Sequence, residues 1–370
     1  MTRSARRIAV VNWRDPWHRD AGGAETYAWQ VATRLAAQGD AVTYLTARDT
    51  GQARTDHADG VRVVRLGGRF GVYPRVLAWL AARRGSFDGV VDCQNGIPFF
   101  TPWVTPRRVP VVCVVHHVHD RQFGEYLPPA VARFGRFLEG PVARRTYRRR
   151  ATAAVSPSTV QAMRARLDWP GEIHLVPNGT EPVASGVRAP AEAPTIVCVG
   201  RLVRHKRIDL VIEAAVRLRE DFPGLVVRIV GKGPDRARLE RLAGAHGLAD
   251  TLRFEGFVTD ERKAELLSEA WLHVAASAGE GWGLGVVEAA AHGVPTVAPD
   301  VDGLRDSVRD GITGWLAPTA EAFGETVGAA LKEVADPVRR AELDAACREW
   351  AGRFDWDSTA RRIAALLDPA

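Results

Sequence analysis

Short apolar runs alternate with segments of helical period along the whole chain. In the first half, Ile8 to Trp13, Ala41 to Thr46, Val61 to Leu66, Gly89 to Cys93, Val109 to Val115 and Ala151 to Val155 read as strands, rich in β-branched residues and bounded by turn formers. Helices are expected near 24–38, 73–84, 129–149 and 157–166. The pattern slackens between Pro177 and Pro194, where Pro, Gly, Ala and Ser dominate, and restarts at Thr195. Beyond it, strands near 195–200, 225–231, 251–255, 272–276 and 295–298 alternate with helices near 208–220, 234–246, 260–269 and 284–292. This alternation predicts an α/β protein with mostly parallel sheets. Several strands end in Gly or a polar residue, and open α/β sheets bind ligands at those carboxyl ends.

A chain of 370 residues is too long for one ordinary core, so two domains are expected, with the linker at 181–194. Charged residues at 25% and apolar residues at 46% are those of a soluble globular enzyme. No apolar run is long enough to span a bilayer, and Met1 to Trp13 lacks the apolar core of a signal peptide, so the expected location is cytoplasmic. Cys93, Cys113, Cys198 and Cys347 are far apart without C-x-x-C spacing and read as reduced core residues. The net charge of +6 suits acidic ligands or anionic surfaces and does not demand nucleic acid. The densest basic cluster, Arg144, Arg145, Arg148, Arg149 and Arg150, reads as the solvated end of an amphipathic helix. Of the 50 basic residues only those at 206, 232, 263 and 332 are lysine. Where arginine is the default cation a lysine hints at a need for a compact point charge, and Lys206 and Lys232 fall in suspected ligand loops.

The stretch Glu280-Gly-Trp-Gly-Leu-Gly-Val-Val-Glu288 joins two carboxylates, a glycine-rich turn and a helix start. Glu280 sits where orphan amides and the positive dipole end point outward. Glu288 lies a turn or two into the helix and needs either solvent or a hydrogen-bonding partner, and vicinal ribose hydroxyls would serve. In the first βα turn Gly22-Gly23-Ala24-Glu25 opens a helix, and paired glycines let amides approach a phosphate; a plain loop-to-helix glycine pair fits equally. Gly200-Arg201-Leu202, with Lys206 before the next helix, is the arrangement a diphosphate wants, although exposed basic loops are common. Gly231-Lys232-Gly233-Pro234 reads first as a structural turn. His116-His117-Val118-His119-Asp120 follows a strand, and one loop does not supply a zinc ligand set, so His116 reads as a polar contact to substrate.

Taken together and in order, these motifs resemble the retaining nucleotide-sugar glycosyltransferases of family four, with the GT-B fold. Val176-Pro177-Asn178-Gly179 at the domain boundary and Phe354-Asp355-Trp356 before a final helix extend the resemblance over most of the chain. It implies two Rossmann-like domains, 1–180 and 195–354, whose sheets face across a cleft, with 355–370 as a helix crossing back to the first. It also implies that Glu288 holds the ribose, that Arg201 and Lys206 hold the diphosphate, and that Glu280 with the amides of Gly281, Trp282, Gly283 and Leu284 holds the donor sugar. Gly22 and Gly23 would approach the diphosphate, Gly231 and Lys232 would complete the donor site, and His116 would contact the sugar near the reacting carbon. Gln94, Asn95, His117 and His119 are the acceptor-side candidates. Cations and a helix end would stabilise the leaving diphosphate, so no metal and no cofactor beyond the donor substrate are expected.

By the same resemblance, attack is from the front face with retention, and Glu280 positions the sugar without attacking it. Trp282 where phenylalanine is common, Gly285 where proline is frequent, and Arg207 where glycine often follows the lysine depart from the family pattern and blur which hexose is bound. Trp282 reads as packing before specificity. The expected acceptor is a hydroxyl of a cell-envelope glycan or lipid, or of a secondary metabolite. Aromatic, proline-rich and basic stretches fit either peripheral contact with the inner membrane face or ordinary helix packing. Competing readings are a catalytically silent sugar-nucleotide-binding protein and an epimerase or phosphorylase of the same fold. A nicotinamide oxidoreductase is disfavoured because no βαβ unit carries the G-x-G-x-x-G fingerprint.

Overall fold

The computed structural model describes residues 5–183 and 188–368. They form two compact units: one runs to Gly179 and takes in Trp356 and the helix it begins, and the other is Thr180–Asp355.

In the first unit the strands are β1 (Arg7–Val11), β2 (Ala41–Thr46), β3 (Thr55–Ala58), β4 (Val61–Arg65), β5 (Gly89–Asn95), β6 (Val111–His117), β7 (Ala151–Ala154) and β8 (His174–Leu175). They lie in the order β3-β4-β2-β1-β5-β6-β7-β8, and only the pairing of β3 with β4 is antiparallel. Around them run α1 (Gly23–Ala37), α2 (Val72–Ala81), α3 (Gln122–Tyr126), α4 (Pro129–Phe137), α5 (Ala143–Tyr147) and α6 (Pro157–Leu167). Val111 to Val115 are all buried, as expected of a central strand covered on both faces. The single helix expected over 129–149 is interrupted: Leu138–Val142 forms a wider π turn between α4 and α5. Pro141 lies in that turn and has no N–H to give to the carbonyl four residues back, so regular helix cannot run through it.

The second unit contains β9 (Thr195–Val199), β10 (Val226–Val230), β11 (Leu252–Gly256), β12 (Leu272–Val274), β13 (Thr296–Pro299) and β14 (Gly314–Ala317). Their order is β11-β10-β9-β12-β13-β14, all parallel. This is the doubly wound order, whose switch point lies between β9 and β12. The helices are α7 (Ile208–Leu218), α8 (Arg236–Ala245), α9 (Asp260–Glu269), α10 (Leu284–Ala291), α11 (Leu304–Ser307), α12 (Phe323–Ala335) and α13 (Pro337–Ala351). Alternate residues of β9 enter different cores: Ile196 and Cys198 pack with α7 and α12, and Val197 packs with Leu266, Leu267 and Ala289. Both faces of the sheet are thereby buried.

The tract 181–194, expected as a linker, belongs in its described part to the second unit. Arg188 is buried there, donating to the carbonyls of Gly293 (3.0 Å) and Trp271 (3.2 Å), and the N–H of Ala191 donates to Glu269 O at 2.9 Å. Its composition reported an absence of regular structure, not freedom from the domain. Thr180 N–H donates to Phe354 O at 2.9 Å, so the two ends of the second unit run side by side. The last helix, α14 (Trp356–Leu366), then packs on α1 of the first unit: Trp356 meets Tyr27 edge-on, Asp357 pairs with Arg34, and Thr359 Oγ1 donates to Pro177 O. All four cysteines are free and buried, and no helix among the described residues is long and apolar enough to cross a membrane.

Candidate functional site

In the second unit, the loops leaving β9, β10 and β12 share one sheet edge at the switch point. The first two are zipped together, with Gly200 N–H donating to Val230 O and Leu202 N–H to Lys232 O, both at 2.9 Å. Gly231, at φ +140°, makes this approach feasible: a Cβ there would overlap the carbonyl oxygen of Gly200 and lie 2.9 Å from its carbon. The loop after β12 is tied in by Ala278 N–H to His205 O (2.8 Å) and Glu280 N–H to Asp302 O (2.9 Å).

This frame brings Lys206 and Glu280, 74 residues apart, into an ion pair, and Ser277 Oγ donates to Glu280 Oε1 at 2.6 Å. Burial works to raise the Glu280 pKa, but Lys206 and Ser277 more than offset it, and the carboxyl sits below its ordinary value. Glu280 is therefore ionised, able to accept hydroxyl hydrogen bonds and unsuited to donate a proton. Gly283, at φ +88°, turns the chain into α10, whose first amides lack intrahelical acceptors. Gly281 and Leu284 flank that turn, and Arg201 stands half-buried just beyond β9.

Glu288, in α10, has a protein partner that the motif alone did not reveal: Lys263 Nζ, from α9, lies 3.3 Å from Oε1 and 3.1 Å from Asp260. Burial raises the Glu288 pKa and Lys263 only partly opposes it. Burial likewise works to lower the Lys263 pKa, but Glu288 and Asp260 prevail and leave it raised. The rarity of lysine in this chain was the one available pointer to Lys263. His273 on β12 was also missed. It is fully buried, its Nδ1 is 3.0 Å from Thr296 Oγ1, and burial followed by Lys206 pushes its pKa down to about 3. The side chains of Trp282 and Lys232 each have a partner of their own. Trp282 is buried edge-on against Phe354 at 4.9 Å, so its ring serves packing, while Lys232 is exposed with its ammonium over the Phe257 ring.

In the first unit, Gly22 caps α1, but its N–H already donates to the carboxylate of Glu25 at 2.8 Å, leaving Gly23 to begin the helix. His116, at the end of β6, is buried against Tyr27 with Nε2 lacking a partner; burial takes its pKa to about 3, so the ring is neutral. Gln94 does not face an acceptor. It is wholly buried, with Nε2 donating to Gly96 O and Oε1 facing Cys113 Sγ, because its position on β5 points into the core. Asn95 Nδ2 clamps Asn12 Oδ1 at 2.9 Å. His117 and His119 lie edge to face, and His119 Nδ1 is 2.9 Å from the His117 carbonyl. Among the described residues no group of three or more His, Cys, Asp or Glu is arranged to hold a metal ion.

Beneath those histidines lies a residue that the sequence did not single out. Glu139, in the π turn, is fully buried, accepts the His119 N–H at 2.6 Å through Oε1, and has no partner for Oε2. Burial raises its pKa from 4.5 to about 8, with the His119 amide opposing. Folding thus favours the protonated acid, and the stability it contributes is fully present below about pH 4.5 and lost as pH rises through about 8. In thermal melts from about pH 5 to 9, wild type should lose stability faster with rising pH than Glu139→Gln. Equal slopes would remove Glu139 as the titrating group.

Against solved structures, sucrose-phosphate synthase from Thermosynechococcus elongatus superposes with a TM-score of 0.82 and 24% identity, covering 98% of each chain. WaaG, a glycosyltransferase involved in lipopolysaccharide biosynthesis, gives 0.75 and 18%, covering 98% of this chain and all of that one. Two doubly wound sheets of this order, with the last helix returning to the first, define the GT-B fold. The family model Glycosyl transferases group 1 matches residues 184–350, and that of Glycosyltransferase Family 4 matches residues 21–183. A D-inositol 3-phosphate glycosyltransferase of Xylanimonas cellulosilytica is 30% identical over 394 residues, covering 95% of this chain and 92% of that protein. A GDP-mannose-dependent alpha-(1-6)-phosphatidylinositol monomannoside mannosyltransferase of Mycolicibacterium smegmatis is 35% identical over 186 residues, 48% of each. The chain belongs to the group 1 glycosyl transferases and transfers a sugar to an acceptor.

Proposed function

We propose that this transferase moves a hexose from a nucleoside diphosphate sugar to an acceptor hydroxyl with retention and without a metal ion. The observation that carries the proposal is the ionised Glu280 held by Lys206 and Ser277 beside the start of α10. Lys206, Arg201 and the first amides of α10 offer positive charge to a departing diphosphate, where it matters most for the barrier. Glu280 accepts hydroxyls of the donor sugar, and Glu288 accepts those of the ribose. The bond from the anomeric carbon to the diphosphate oxygen breaks, the acceptor oxygen bonds to that carbon from the same face, and its proton passes to the departing phosphate oxygen. His116, neutral and with Nε2 available, is a polar contact for substrate.

Thermal shift with uridine, guanosine, deoxythymidine and adenosine diphosphate sugars tests the donor class, because a tight ligand raises the melting temperature by mass action. A guanosine diphosphate sugar leads the panel, since the mannosyltransferase relative is named for one. Turnover without acceptor, or none with any donor and acceptor, would favour the phosphorylase or silent-binder readings. Glu288→Ala should weaken nucleoside diphosphate binding about tenfold to a hundredfold, the loss of charged hydrogen bonds. Lys263→Ala serves as the control for the cation left unpaired, and unchanged binding in Glu288→Ala would end the ribose assignment.

The same proposal includes peripheral contact with an anionic membrane. Helix α4 turns Val131, Phe134 and Phe137 outward, 47, 60 and 53% exposed, with Arg133 and Arg136 beside them. Co-sedimentation with phosphatidylglycerol vesicles should fall in Phe134→Ser/Phe137→Ser, and absence of wild-type binding at low salt would refute the contact.

A further inference from the structure

At the carboxyl ends of β2 and β4 the first unit holds a recess of about 750 Å³, lined by Arg48, Asp49, Arg54, Thr55, Arg65, Gly67 and Arg75 among others. Its charges are lopsided. Arg65 is satisfied by Asp15 and Asp56, and the Asp49 carboxylate is taken by Arg19, which holds its pKa well below the usual range. The guanidinium groups of Arg48, Arg54 and Arg75 have no hydrogen-bond or ion-pair partner among the described residues, although those of Arg6, Arg7, Arg19 and Arg34 in the same unit all find carboxylates. Three unpaired cations around one concavity repel one another, and a multiply charged anion seated between them removes that repulsion. Guanidinium forks match phosphate oxygens, and the backbone at Gly67 and Gly68 presents no side chain to obstruct them.

The recess also has a position. In the parallel sheet, the carboxyl ends of β2 and β4 share the edge that carries Gly22 and Gly23 after β1 and His116 at the end of β6. A ligand anchored here lies along the edge where open α/β sheets bind substrates. We propose that this recess binds the phosphate of a phosphorylated acceptor, with Arg48, Arg54 and Arg75 as its anion ligands. The acceptor part rests on the transferase reading; the anion site does not.

Calorimetric titration of the full chain carrying Arg201→Ala and Lys206→Ala, which removes the two cations proposed for the donor diphosphate, tests it with inorganic phosphate, a hexose 6-phosphate and the plain hexose in about 0.1 M chloride. Both phosphates should bind saturably and the hexose should not. Arg48→Gln, Arg54→Gln and Arg75→Gln should each weaken binding about tenfold or more, the loss of a charge-assisted hydrogen bond. These side chains are exposed, so melting temperatures should not move. Absence of saturable phosphate binding, or unreduced affinity in all three variants, overturns the site. Tighter binding of inorganic phosphate than of hexose phosphate overturns its role in holding an acceptor. In an otherwise wild-type chain the glutamine variants should keep full nucleoside diphosphate affinity. If that affinity persists while the recess is silent, the recess assignment falls and the donor assignment stands.

Discussion

Lys206→Ala is expected to lower kcat about a hundredfold or more, the scale seen when one preorganised charge donor is removed from a developing anion. Two losses coincide. On the proposed reading the departing diphosphate loses a cation, and Glu280 keeps Ser277 and His205, each a smaller influence than Lys206, to set against the burial that works to raise its pKa. With Lys206 gone the Glu280 pKa moves up, and a protonated carboxyl no longer accepts sugar hydroxyls as an anion, so residual activity should rise with pH more steeply than in wild type. Both side chains are about one-fifth exposed, which lets Glu280 neutralise by taking a proton and keeps the stability loss below that of a sealed ion pair. The measurement is nucleoside diphosphate release under saturating donor, with circular dichroism melts to confirm folding. Turnover within about twofold of wild type would take Lys206 out of the transition state.

How far the chain could be read in advance depended on the range of each interaction. Strands buried on both faces, such as Val111 to Val115, announce themselves as apolar runs, and every central strand of the first sheet was legible. The edge strand Thr55–Ala58 was not, because Thr-Asp-His-Ala has no apolar face and pairs only through its backbone. The helix over 129–149 was legible as a helix but not as a broken one, since Pro141 was read through by periodicity. At Arg207 the departure from glycine is physical: the residue has φ +49° and is held there by an ion pair with Asp209. The motif residues of the candidate site were legible one by one. Their partners were not, because the contacts of Glu280 with Lys206 and of Glu288 with Lys263 are set by sheet order. Gln94 failed for the opposite reason: a polar residue near a strand's end looks outward in sequence, yet β5 is buried on both faces through Gln94, whose amide donates to Gly96 O.

Gly231→Ala is expected to be the most damaging single methyl group that can be added to the second unit's site loops. Its Cβ would overlap the Gly200 carbonyl, and at φ +140° the backbone itself disfavours any side chain. Relief requires the loops after β9 and β10 to separate, breaking the hydrogen bonds from Gly200 to Val230 and from Leu202 to Lys232. Overpacking costs about 1–3 kcal/mol, each of the two hydrogen bonds about 1 and the strained backbone about 1–3, so a loss of roughly 4–8 kcal/mol is expected. Gly244→Ala is the contrasting control: in α8, with nothing within 4 Å of its Cβ, it should gain about 0.5–1 kcal/mol. A chain of two units need not unfold in one step, so hydrogen exchange at the donor amides of Gly200 and Leu202 is the appropriate readout. Activity should fall as well, although no charged residue has been touched, because Arg201 and Lys206 ride on the displaced loop. Protection factors at those amides within tenfold of wild type would show that the two loops tolerate separation, and the rigid frame inferred for Lys206 and Glu280 would have to be abandoned.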